Sequence, residues 1–557
     1  MKSKTTFFLL TFSLVFVLFA GIYASFFSTK YYSCIAYGPD PLDGLMRNER
    51  AYYNVEANGR ISAFIHEFEE NNRSFFTIAP LIILAPEILR RPDAHLFISI
   101  PLIFLFVFLL SYCTWMRTGN TLHASVLAFF YITCYAVTEP YFGIGFNMPD
   151  TIAGYSVGVA ALSLLIWSEK RKNYWLIMFA VFMSVSVLMR YIFSIYTFLL
   201  FSFPLGLILI QQYRRSKNTW QEIAKGCLIV GVVAGLLCGY YVISHFNKNM
   251  EYYSYWLHSK KATMNVSVLK SADGFLFMYS GFLRKIHAIF LILLFVANFY
   301  FFKIDKKIFK QRLLIASWMF LIIPFYWVVI LKTNGRVVGS AFMAAFPVMF
   351  ISLALPLNNI IIDNRKKIFS YLLITIIAAS LIDFGITLKK NSDSLASTYT
   401  EPESTKLFSI RISEWFNTIS PRDCTLSLIV FSSGYIGEDI SLESFYRNGR
   451  YIKTRISENK FSLYSNFYNN EDPYTDIDMI KNSMYQKAVS SSNLLIFFRD
   501  GLQLGTTGFD TPISRQVERR LFEKFSTETS WKMIQVPDSS LGHLILFYRN
   551  YLNFPNH

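Results

Sequence analysis

The chain has 557 residues, of which 53% are hydrophobic, 18% aromatic and only 16% charged, and its mean hydropathy is +0.35. Soluble domains carry about 25% charged residues, so this composition excludes a water-soluble globular protein and makes lipid part of the solvent. The formal net charge of +16 would suggest nucleic acid in a soluble protein, but much of the excess sits in short loops between apolar runs, where topology accounts for it.

A bilayer-crossing helix needs roughly 20 mostly apolar residues. Runs of this kind occupy 6–27, 95–114, 121–138, 150–167, 174–189, 192–210, 222–243, 286–302, 313–331, 337–356 and 368–386. The expected fold is therefore a polytopic α-helical membrane protein with about eleven spans. The first run follows Lys2 and Lys4, as a signal peptide would. It is long enough to span, and we expect it to be retained.

Alternate loops are short and basic. They contain Lys2 and Lys4, then Arg117, then Lys170, Arg171 and Lys172, then Arg214, Arg215 and Lys217, then Lys303 to Arg312, and last Arg365, Lys366 and Lys367. The positive-inside rule places these loops, and the N-terminus, in the cytoplasm. The C-terminal region then lies on the far side.

The first long outer loop covers 28–94. It opens with Tyr37-Gly38-Pro39-Asp40-Pro41-Leu42-Asp43-Gly44, read as a turn stiffened by two prolines. Further on, Tyr52, Val55, Ile61, Phe64, Ile65 and Phe68 recur near helical spacing. Arg47, Glu49, Arg50, Glu56, Arg60, Glu67 and Glu69 occupy much of the rest. That pattern predicts helices lying in the membrane surface. The next outer loop holds Glu139-Pro140 and then Pro149-Asp150 at the mouth of the fourth span. Another long outer loop, 244–285, is rich in Tyr, Trp, Lys and His. After Lys390 the composition turns polar, and short apolar runs at Leu426–Phe431, Leu494–Phe498 and Leu544–Tyr548 read as strands between helical stretches such as 514–526. Residues 391–557 are expected to form a soluble extracytoplasmic α/β domain.

Two carboxylates, Asp40 and Asp43, thus stand just after the first span, where either can take a proton from an attacking hydroxyl. The competing reading is a turn and helix cap. Asp150, with Glu139, either caps a helix or faces the same polar space and positions an acceptor or a metal. Arg190, Lys332 and Arg336 fall on the outer side, where topology does not require cations. Costly ionisable groups at membrane depth suggest function, and an anionic lipid phosphate suits them; the alternative is snorkelling to headgroups. The six cysteines make no CxxC or Cys/His metal pattern. A Walker loop, a GxGxxG opening a helix and a nucleophile elbow are all absent from the sequence.

Together these features resemble the polytopic glycosyltransferases that use polyprenyl-phosphate sugars, the GT-C superfamily, with its lipid A aminoarabinose transferase and protein O-mannosyltransferase group. Asp40 and Asp43 stand where that family places its acidic residues. Met148-Pro149-Asp150-Thr151, then a span, then Trp175 and Arg190, is similar to its middle spans. Lys332-Thr333-Asn334-Gly335-Arg336, before a span containing Pro347, resembles a late family segment. Many members carry two adjacent acidic residues, whereas Pro41-Leu42 separates the pair here. Which of the two is the base, and whether a divalent cation takes part, therefore stay open.

The resemblance implies an inverting glycosyltransferase. Its donor would be a polyprenyl-phosphate sugar, and its acceptor a glycan, lipid or protein. Asp40 or Asp43 would be catalytic, with Arg336, Arg190 and Lys332 on the donor phosphate and Asp150 and Glu139 positioning acceptor or metal. The Lys-, Ile-, Asn-, Phe- and Ser-rich composition points to a bacterial inner membrane with a periplasmic C-terminal domain. The rival reading is a transporter or flippase of lipid-linked sugars without transferase activity; it lacks the related halves many transporters show.

Overall fold

The structure, a computed structural model, describes residues 2–31, 39–70, 75–133, 149–191, 193–215, 219–250, 314, 318, 366–400, 405–419, 426–431, 436–449, 452–454, 492–498, 522–535 and 544–549. Its helices are α1 (Lys2–Tyr31), α2 (Pro39–Glu70), α3 (Ala79–Leu84), α4 (Leu96–Thr118), α5 (Thr121–Thr133), α6 (Pro149–Lys170), α7 (Asn173–Met189), α8 (Phe193–Arg215), α9 (Thr219–Ala234), α10 (Tyr240–Ser244), α11 (Lys366–Thr400), α12 (Thr405–Ile419) and α13 (Ile436–Asn448). A π-helical turn, Gly235–Gly239, joins α9 to α10. Among the described residues four helical stretches are long and apolar enough to cross a bilayer: Phe7–Phe26, Leu96–Met116, Ala224–Ser244 and Ser370–Lys390. Shorter apolar stretches are Ile152–Ser168, Asn173–Met189 and Phe193–Leu207. The expected spans at 286–302 and 337–356 lie outside the described residues, as does 313–331 apart from 314 and 318.

The chain divides into two compact units. One comprises Met1–Ser28, Ile61–Leu84 and Asp93–Asn391. Here α6 packs along α7, and α4 packs on α5 and α6. Phe106 meets Tyr155 edge-on at 5.9 Å, and Phe179 meets Phe201 at 5.1 Å. Buried hydroxyls mostly find acceptors one turn back in their own helix: Thr114 on Leu110, Ser163 on Val159, Ser184 on Ala180 and Thr197 on Phe193. A helix in hydrocarbon must satisfy its polar groups internally, and this is the cheapest way to do so. Ser13, Ser111, Ser125 and Ser380 are buried with no partner among the described residues. Large apolar side chains stay exposed along α1 (Phe7, Val15, Ile22), the α9–α10 helix (Leu236, Ile243) and α11 (Tyr371, Ile382, Ile386). Those are the faces a bilayer would cover.

The joints in this unit follow from local sequence. Gly119, left-handed at φ 63, closes α4 by donating its N–H to Trp115 O at 2.8 Å. Asn120 Oδ1 then accepts the His123 N–H at 3.1 Å and caps α5. Helix α7 ends at Met189, and α8 begins at Phe193, so the expected break at Met189–Arg190 is present.

The second unit comprises Thr29–Arg60, Ala85–Pro92 and Ser392–His557. Its strands are β1 (Leu426–Phe431), β2 (Ile452–Thr454), β3 (Leu494–Phe498), β4 (Trp531–Gln535) and β5 (Leu544–Arg549). They form one mixed sheet, in the order β2-β1-β3-β5-β4. β1 runs parallel to β2 and β3; β5 is antiparallel to both β3 and β4. The parallel β1–β2 pair needs a crossover, and α13 supplies it. β3 lies in the middle of the sheet with Leu494, Leu495 and Ile496 all buried, which is why it reads as a continuous apolar run.

One expectation is corrected here. The Tyr37–Gly44 stretch was read as a turn, but helix α2 already begins at Pro39. Pro39 and Pro41 both fall in its first turn, where backbone N–H groups have no intrahelical acceptor, so proline costs nothing there. Helix α2 then bends at Gly59, whose φ is 79 and ψ 165.

Candidate functional site

Asp40 and Asp43 lie in the first two turns of α2. Three residues apart, they occupy one face of the helix, and Arg47 and Arg50 continue that stripe. The opposite face carries Leu45, Glu49, Tyr52 and Glu56 at helical spacing. Asp150 stands in the first turn of α6, directly after Pro149. Arg190 follows the last residue of α7 in extended backbone, with its N–H bonded to Ser186 O at 3.1 Å, and its side chain is half-buried. Asp150 and Arg190 belong to the helical unit, whereas Asp40 and Asp43 belong to the sheet-bearing unit. Glu139, Lys332 and Arg336 lie outside the described residues. The structure thus unites Asp40 and Asp43 on one helix.

Around the first half of α2 the sheet-bearing unit is densely built. Leu45 and Met46 are buried with Leu442 of α13, and Tyr446 packs beside them. The rings of Tyr52 and Tyr53 meet Phe445 at 5.9 and 5.8 Å. The Arg90 guanidinium stands 5.4 Å from the centre of the Tyr52 ring. Tyr53 donates its hydroxyl to the Gly449 carbonyl at 3.4 Å. Gly449 closes α13 with φ +64, and a Cβ there would come within 3.1 Å of Arg90 Nη2. Only glycine suits both conditions.

Arg47 and Glu49, among the charged positions of this loop, do not face water. Both are buried, Glu49 to 0% exposure. At Glu49 the cover comes from α13, whose Ser441 and Leu442 pack on this part of α2. Ser441 donates its hydroxyl to Glu49 Oε1 at 2.8 Å. Glu49 Oε2 and the neighbouring Asn48 Nδ2 are buried with no hydrogen-bond partner among the described residues. Burial pushes the Glu49 carboxyl from 4.5 up to about 8, against weaker opposing pulls from Ser441 and Arg50. Burial also raises the Tyr52 and Tyr53 hydroxyls, with nearby carboxylates adding to the shift. Glu443, on α13, is equally buried but holds Arg447 at 2.6 Å. Beyond Gly59 the helix differs: Ile61 and Ile65 are exposed apolar residues.

Two further polar features were not singled out from sequence. Asp93, buried just before α4, accepts the Ser25 hydroxyl at 2.6 Å. Asp383 sits inside the apolar stretch Ser370–Lys390, half-buried. A lone carboxylate within an apolar run is itself a signal in the sequence; the burial of Asp93 depends on tertiary packing and leaves none. Among the described residues no group of three or more His, Cys, Asp or Glu side chains gathers as a metal site. No protein-family profile matches the chain, and no curated protein matches it either.

Proposed function

We propose that the chain is an inverting glycosyltransferase of a bacterial inner membrane. In this reading about eleven helices cross the bilayer, the N-terminus is cytoplasmic, and the sheet-bearing C-terminal region is periplasmic. The donor is a polyprenyl-phosphate sugar entering from the outer leaflet. The acceptor is a hydroxyl on lipopolysaccharide, another surface glycan or a protein.

The observation that carries this reading is the placement of Asp40 and Asp43 on one face of the helix that follows the first apolar span. One of them takes the acceptor's hydroxyl proton. The freed oxygen attacks the anomeric carbon, and the lipid phosphate departs with the bonding electron pair. Arg336, Arg190 and Lys332 hold the charge that gathers on the phosphate, the kind of electrostatic aid that often dominates catalysis. Asp150 and Glu139 position the acceptor, and a divalent cation at the acidic residues is tested by adding chelator to the same assay.

The deciding experiment uses membranes from a deletion strain complemented with wild type, Asp40→Asn or Asp43→Asn, and follows turnover of a lipid-linked sugar. Loss of the base lowers transfer by about 10²–10⁴-fold. The amide should fold nearly as well, since Asn matches Asp in shape and has a similar helix propensity. Wild-type rates in both amide variants end the catalytic assignment. Transport without transfer is the second reading, and Asp383 favours it, because carboxylates within spans often line translocation paths. Under that reading Asp383→Asn stops lipid-linked sugar crossing, and no covalent transfer depends on Asp40 or Asp43.

A further inference from the structure

The polar cluster between α2 and α13 is the most demanding arrangement in the sheet-bearing unit. Two carboxyls are fully buried there, and they are treated differently. Glu443 is compensated by Arg447 at 2.6 Å. Glu49 has one oxygen on Ser441 and the other without a partner among the described residues. A buried carboxylate with an empty oxygen is costly, while a neutral carboxyl with the same contacts costs far less.

Among the described residues the cations nearest in sequence are Arg47 and Arg50, and the pull of Arg50 on the Glu49 carboxyl is weaker than the effect of burial. On its own helix Glu49 feels Arg50, and its charge in turn bears on Tyr53. Glu56 and Arg90 also act on Tyr53, and Glu87 joins them at Tyr52. Among the described side chains of α13, Glu443 and Arg447 are bound to each other. The seat holds a proton better than a charge.

We infer that Glu49, seated against Ser441, is a proton-dependent latch between α2 and α13: protonated, it lets the two helices close on each other, and ionised, it drives them apart. This does not depend on the transferase reading. It concerns the helix that carries Asp40 and Asp43, whatever those residues do.

The direction with pH follows from linkage. The folded state holds the Glu49 proton up to about 8, whereas the unfolded chain releases it near 4.5. Between those values the folded state binds more protons, so stability falls as pH rises through the window. Above it the full cost applies, and below it there is none.

The test is amide hydrogen exchange on the full-length protein in detergent, corrected for the intrinsic pH dependence of exchange. Wild-type protection over Leu45–Tyr53 and Ile436–Asn448 should fall at least tenfold between pH 6.5 and pH 9.5. Glu49→Gln, a neutral side chain of the same shape, should keep its protection across that range. Equal losses in wild type and Glu49→Gln would overturn the inference, because some other group would then be titrating. If the Gln variant does not fold, Ser441→Ala decides: removing the hydroxyl that favours the ionised form should carry the loss of protection to higher pH, and a profile identical to wild type refutes the latch.

Discussion

In the helical unit several buried hydroxyls are satisfied within their own helix, as Ser163 is on Val159 O at 2.8 Å. In the sheet-bearing unit the groups at stake are carboxyls. Glu443 relies on Arg447 one turn on, and Glu49 reaches across to Ser441, 392 positions away in sequence. The first arrangement survives whatever neighbouring helices do. Of the second kind, the Glu49–Ser441 bond exists only while α2 and α13 stay packed. Stability in one unit is therefore spread over many small local bonds, and in the other it is concentrated at a few sites that single substitutions can reach.

Three substitutions separate these arrangements. The largest effect is expected from Arg447→Ala, which strips the partner from a fully buried Glu443. Because Arg447 is itself 46% exposed, the loss should be about 2–3 kcal/mol rather than the larger figures seen for wholly buried pairs. Thermal unfolding of the full-length protein in detergent measures it. A smaller loss of about 1–2 kcal/mol is expected for Gly449→Ala, from left-handed backbone and a Cβ pressed on Arg90. Tightened proteolysis at the α13 terminus would report it as faster cleavage. The smallest belongs to Ser163→Ala, below about 1 kcal/mol, since only a hydroxyl bonded within its own helix is removed. If Ser163→Ala proved as damaging as Arg447→Ala in the same melting assay, the contrast between the units would collapse.

What the sequence made legible follows the same division. Helices α1, α4, α6, α7 and α8 were readable because an apolar run long enough for a span is a local property. Strands β1 and β3 begin and end where the apolar runs do, and in β3 the run is continuous because Leu494, Leu495 and Ile496 are all buried. β2 and β4 escaped notice. β2 is only three residues long, and β4 mixes Trp531 and Met533 with Lys532 and Gln535 at a sheet edge. At the candidate site, Asp40 and Asp43 stood out through their place after a span. Glu49 did not, since its neighbours in sequence are charged and its burial comes from α13. Only the packing of two distant segments turns an ordinary polar residue into a strained one.

The π-helical turn at Gly235–Gly239 has a bearing on chain length. An extra residue per turn delays the helix by about 100°, so the buried positions Cys238, Tyr241, His245 and Asn249 are out of phase with a strict 3.6-residue count from the start of α9. Removing one residue from this turn would restore an ordinary α-helix and shorten the stretch by a single step. It would also swing Tyr241 and His245 out of their contacts with Phe68, at 5.7 and 5.4 Å. Homologues of this chain, when aligned, should therefore hold the number of residues across Gly235–Gly239 fixed even where the residue types drift.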